Sequence, residues 1–111
     1  MHAIVSQLTA NYNSEDALER CGLVLRDGSI LEVENKHETP ENGFRIAASE
    51  MVKHEDNLMG TWHTHPRDTA NLSEADYMGF GNWPDLKHFI IGVDGVRCFE
   101  VQPPLIVEVD L

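Results

Sequence analysis

The chain has 111 residues, with 19 Asp and Glu against 8 Lys and Arg, and a formal net charge of −11. That length predicts one domain with one core, and the acidic balance excludes a nucleic-acid or anionic-membrane surface, which needs a basic cluster to displace counterions. A hydrophobic fraction of 41% is ordinary for a soluble chain, no apolar run approaches a membrane span, and MHAIVSQLTANYNSED lacks the pattern of a secretory signal, so the expected compartment is the cytoplasm.

Ile4, Val5 and Leu8 recur at helical spacing and predict a short amphipathic helix over residues 2–11. CGLVL, the Asp27-Gly28 pair and a second run holding Ile30, Leu31 and Val33 predict a β-hairpin. HETPENG reads as a loop by composition. FRIAASEMVKHED is expected to begin as a short strand and continue as a helix, with Ala48, Met51 and Val52 facing the core. NLMGTWHTH reads as a buried strand ended by Pro66, RDTAN as a loop, and SEADYMGFG as a helix begun at Ser73. HFIIGV, VRCFEVQ and LIVEVDL predict three closing strands, the first two joined as a hairpin at Asp94-Gly95. This interleaving predicts an α/β or α+β fold, with a mixed central sheet flanked by helices. Cys21 and Cys98 sit in apolar runs without paired spacing, and are expected as buried free thiols.

The chemistry concentrates between Gly60 and Phe80. Strand residues two apart share a face, so His63 and His65 project side by side, and Pro66 puts them at a strand end. A catalytic zinc takes three N, O or S ligands and leaves a fourth position to water. Asp76 supplies a third ligand if residues 66–72 fold back. SEAD has a second reading, as a helix cap with Ser73 at the N-cap and an acidic Asp76 three residues on. His88 reads as a surface or strand-edge histidine, His2, His37 and His54 as surface residues, and Trp62 and Trp83 as core or pocket wall. Glu19, taken alone, reads as an exposed acid ahead of a strand.

Together, His63, His65, Ser73 and Asp76, with Glu19 and Gly22 upstream in ERCG, resemble the JAMM motif of the JAB1/MPN/Mov34 metalloenzymes. The order of elements resembles that family over nearly the whole chain. Within it, the short length and the Trp83-Pro84 to FIIGV stretch look most like the JAB domain of phage tail-assembly proteins similar to tail protein K, and next like free-standing prokaryotic JAB peptidases.

The resemblance implies one JAB/MPN-type domain over residues 1–111, with the layering of cytidine deaminases. It implies a Zn²⁺ ion on His63, His65 and Asp76, Glu19 as general base, and Ser73 as hydrogen-bond donor to the oxyanion. The implied activity is a metallopeptidase cleaving a peptide or isopeptide bond. Its partner would be a protein or peptide bound as an extended C-terminal tail, of a ubiquitin-like or sulfur-carrier protein or of a phage tail component. The alternative is an MPN-type scaffold module without turnover, with a second copy or an assembly partner.

Overall fold

The computed structural model describes residues 1–111. The elements in chain order are α1 (His2–Asn11), β1 (Cys21–Leu25), β2 (Ile30–Val33), α2 (Ala48–Lys53), β3 (Leu58–Thr64), α3 (Glu74–Phe80), β4 (Lys87–Gly92), β5 (Gly95–Gln102) and β6 (Leu105–Val109). The strands form one mixed sheet in the order β2-β1-β3-β4-β5-β6. Only β3 and β4 run parallel, joined by the crossover through α3; the other neighbours are antiparallel.

The register decides what each face carries. Cys21 lies opposite His63 and Leu23 opposite Thr61. Thr61 in turn faces His88, His63 faces Ile90, and His88 faces Phe99. Side chains directly opposite share a side, so these residues form one face of the sheet. It is covered by α2 through Met51, packed with Leu23 and Leu58, and by α3 through Phe80, packed with Ile90 and Phe99. The opposite face is covered by α1, whose Ile4 and Leu8 pack on Val24, Trp62, Phe89, Ile91 and Cys98. β3 is buried almost throughout, as a strand covered on both faces must be.

Gly22 has a steric reason. A Cβ there would lie 1.8 Å from the Leu31 carbonyl and 2.5 Å from Trp62 Nε1. The indole crosses that space and donates to Leu31 O at 3.0 Å, binding β3 to β2 across β1.

The expected strand at residue 44 does not form, and residues 44–47 are irregular. Arg45 N–H donates to the Asn35 side chain rather than to a neighbouring strand, while Arg45 O accepts from Lys36 N. Of the three core positions expected in α2, only Met51 is buried; Ala48 is exposed and Val52 is 62% exposed. A helix of 6 residues turns few side chains inward. Cys21 and Cys98 are buried free thiols, as expected.

Candidate metal centre

His65 continues β3 by one residue, its N–H donating to Ile91 O at 2.8 Å. Pro66 then opens a turn in which Asp68 N–H donates to His65 O at 3.3 Å, with Arg67 at φ 61°. Proline followed by positive φ is the type II pattern, and glycine would be the relaxed choice where Arg67 stands. The N-terminal segment holds this turn: Arg67 donates to Ser14 O at 3.2 Å and Asp16 O at 2.8 Å, and the Tyr12 hydroxyl donates to His65 O at 2.9 Å. The loop then returns along the β4–β5 turn. Val93 N–H donates to Asp68 O at 2.8 Å and Ala70 N–H to Asp94 Oδ1 at 2.7 Å. Gly92 leaves room for this, since a Cβ would sit 2.3 Å from Ala70 N. The loop presents the Thr69 carbonyl 2.8 Å from His65 Nδ1.

The loop ends at α3, and the cap is real. Ser73 Oγ accepts from Asp76 N–H at 3.1 Å, and Asp76 Oδ2 accepts from Ser73 N–H at 3.2 Å. The two readings of SEAD are therefore not exclusive, because the same Asp76 carboxylate meets both histidines. Its Oδ1 is 2.9 Å from His63 Nε2 and its Oδ2 is 3.0 Å from His65 Nε2, while the two Nε2 atoms are 3.1 Å apart.

These four atoms, two imidazole nitrogens and the two oxygens of one carboxylate, could close on a metal ion. Their spacings approach the ~3.3 Å separation of ligands on a tetrahedral ion with bonds of about 2.0–2.1 Å. Thr69 O can only accept, so His65 Nδ1 carries the proton, and Nε2 of the neutral ring is a bare lone pair facing a carboxylate oxygen. A positive charge, proton or metal ion, must lie between them. His63 Nδ1 is buried without a partner.

Glu19 completes the cluster. Its carboxylate and the two imidazoles bring ligand atoms within 4.8 Å of one another. The side chain is buried and its Oε1 has no hydrogen-bond partner. Backbone pairing puts it there: Arg20 N–H donates to Thr64 Oγ1 and Thr64 N–H to Arg20 O, both at 2.9 Å, locking the approach to β1 against the end of β3. Glu19 N–H donates to Pro40 O at 2.9 Å, and its carbonyl accepts from Asn35 Nδ2 at 2.9 Å. Asn35 also donates to Gly43 O and accepts from His37 N and Arg45 N, so one amide organises the loop over the site.

Burial raises the Glu19 carboxyl to about 7, the His65 ring opposing the shift and Asp76 adding to it. Burial also pushes Asp76 upward, but hydrogen bonds from His63 and His65 outweigh it and hold that carboxyl far below the usual range. His63 is lowered by its burial. His65 resists the same penalty and is raised, through Asp76, Thr69 and Glu19.

The structure thus brings Glu19, His63, His65 and Asp76 together, with exposed Ser73 capping the helix that carries Asp76. Two readings are corrected. Glu19 is buried rather than exposed. His88 is 0% exposed: Thr61 Oγ1 donates to its Nδ1 at 2.7 Å, and its Nε2–H donates to Trp83 O at 3.1 Å. Burial pushes this ring down to about 4, so it is neutral. His2 is exposed, while His37 and His54 are half-buried. Trp62 is core, whereas Trp83 is 39% exposed and lines a cavity. Sequence reasoning missed Asn35, Tyr12, Thr69 and Phe44, whose ring stacks on His63 at 4.1 Å. Of these, only Asn35 carried a signal, as a polar residue at a strand exit.

No curated protein matches the chain. Among solved structures, it is similar to the solution structure of protein DSY2949 from Desulfitobacterium hafniense, with a TM-score of 0.74, 21% identity, and coverage of 95% of this chain and 84% of that one. At that identity the likeness establishes the fold. A family model described as prokaryotic homologs of the JAB domain matches residues 1–102. With nearly its whole length matched, the chain belongs to the prokaryotic JAB-domain family.

Proposed function

We propose that the protein is a JAMM-type zinc metallopeptidase that hydrolyses a peptide or isopeptide bond. Its substrate is an extended tail, the C-terminus of a ubiquitin-like or sulfur-carrier protein or a segment of a phage tail-assembly component. The observation that carries this reading is the buried Glu19 carboxylate, with Oε1 unpartnered, beside two imidazoles that converge on Asp76.

His63, His65 and Asp76 would hold the ion, through donors whose spacing and proton states suit it. When bound, zinc lowers the pKa of a water molecule and polarises the scissile carbonyl. Thr69 fixes the tautomer and orientation of His65, and the cap from Ser73 fixes Asp76. With His63, His65 and Asp76 holding the ion, Glu19 stands beside it within 4.8 Å of the imidazole nitrogens and is free to serve as base. Its carboxyl, raised to about 7, suits taking a proton from water and returning it to the leaving amine. Ser73 Oγ accepts from Asp76 N–H, which leaves its own proton free for a developing oxyanion. The unpaired edge of β2, separated from β3 only by β1, offers backbone groups to an extended tail.

The test pairs metal content with cleavage. Protein stripped by chelator and reloaded should take up one equivalent of zinc and lose that capacity in His63→Ala. The loaded protein should then cleave peptides ending in di-glycine tails or tail-protein segments. Zinc binding without cleavage of any of them would leave a scaffold module.

A further inference from the structure

A cavity of about 410 Å³ opens beside the metal centre, between α2, α3 and residues 37–46. It shares walls with the centre. Asp76 lines it, Phe44 lies against His63 with ring centroids 4.1 Å apart, and Phe80 meets the same imidazole edge-on at 5.9 Å. Ile46, Met51 and Trp83 supply apolar lining, while His37, Arg45 and Asn82 border the same space with polar groups. His88 also borders it, but both its ring nitrogens are engaged, by Thr61 and by Trp83 O, and Phe80 stacks on it at 4.2 Å. The ring is fully buried behind Phe80 and offers a ligand no free hydrogen bond. The volume is at the small end for ligand sites, right for a side chain and too small for a folded module.

Gly79 is the residue that can be varied. It lies in α3 and lines the cavity, yet a Cβ added there meets no heavy atom within 4 Å. Neither steric need nor a left-handed backbone calls for glycine, and in a helix glycine is less stable than alanine. Gly79 is itself exposed, so a larger side chain can be introduced at this lining position without displacing its neighbours.

We infer that this cavity is the specificity pocket of the site, taking a large apolar side chain, aromatic or branched aliphatic, from the peptide residue beside the scissile bond. The word scissile rests on the peptidase reading proposed above; the binding of an apolar side chain does not.

The test separates the two. Zinc-loaded, isotope-labelled protein is titrated with N-acetyl-phenylalaninamide and with N-acetyl-glycinamide, following the amides of Ala75 and Asn82 and the Trp83 indole by NMR. The phenylalanine amide should bind saturably and at least about tenfold tighter than the glycine amide, the discrimination an apolar pocket gives. Gly79→Leu should weaken it about tenfold while zinc content stays at one equivalent and the melting temperature does not fall. Equal response to both amides, or binding indifferent to Gly79→Leu, overturns the pocket. A parallel set of peptides carries Phe or Gly beside the bond. Hydrolysis without preference for Phe overturns the pocket and leaves the peptidase; selective binding with no hydrolysis of any peptide overturns the peptidase and leaves the pocket.

Discussion

Both faces of the sheet bury apolar side chains, but only one also buries imidazoles and carboxylates. Under α1 lie Ile4, Leu8, Val24, Trp62, Phe89, Ile91 and Cys98, with Thr64 as the buried polar residue among them. Under α2 and α3 the face carries Thr61, His63, His65 and His88, with Glu19 and Asp76 closing on it from the flanking segments. Apolar burial stabilises the first face at roughly 25 cal/mol per Å². The second holds ionisable groups out of water, where each costs free energy unless it is paired. Orphaned Glu19 Oε1 and His63 Nδ1 show that the pairing is incomplete. The ionisable cluster is thus confined to one side of the strands, and substitutions on the two sides should have separable effects.

The widest separation is expected at Glu19. Glu19→Gln should keep zinc near one equivalent while peptide hydrolysis falls about 10²–10⁴-fold, the usual worth of a positioned acid–base group. Loss of zinc along with activity would make Glu19 a ligand. The opposite face should give the converse result. Leu8→Ala, at a residue 1% exposed, should cost about 2–5 kcal/mol in denaturant unfolding, with turnover per folded molecule unchanged.

A smaller effect follows from the Glu19 carboxyl in the metal-free protein. Its folded value of about 7 lies above its ordinary 4.5, so the folded state favours the protonated form. That advantage is complete below about 4.5 and is lost as pH rises through 7. Metal-free Glu19→Gln, neutral at every pH, should exceed the parent in stability by on the order of 2–3 kcal/mol at pH 8 and match it near pH 4.5. Unfolding curves that stay parallel between those limits would mean that Glu19 ionises in the fold without penalty. The smallest effect is at the cap. Ser73→Ala should cost about 0.5–2 kcal/mol of stability as well as turnover, whereas Ser73→Asp should restore the cap and still lose turnover. Parental turnover in the Asp variant would reduce Ser73 to a cap.

What could be read beforehand follows the range of the interaction. His63, His65, Ser73 and Asp76 declared themselves because strand alternation, a strand-ending proline and a capping box are short-range patterns. Their convergence depends on residues 66–72, and that loop is shaped by Arg67 reaching Ser14 and by Gly92 and Asp94 on a later turn, contacts no local window contains. Glu19 was nameable only through a family likeness, since its burial is set by the pairing of Arg20 with Thr64. Residues 44–47 look like a strand by composition, yet Asn35 takes up the Arg45 amide. His88 was misplaced because a histidine leading an apolar run reads as its edge, while its alternation with Ile90 turns it inward beneath α3.

The position of β1 and β2 at one margin of the sheet has a kinetic consequence. His65 and Asp76 are 11 positions apart, so the ion's seat closes over a short stretch of chain, of the sort that forms early in folding. Glu19 reaches that seat only when the β1–β2 hairpin zips onto β3. β1 is buried and paired on both sides, so this docking is a long-range step of folding that comes after the local ones. A chain caught before that step would already hold His65 against Asp76 while the Glu19 carboxylate was still absent from their side.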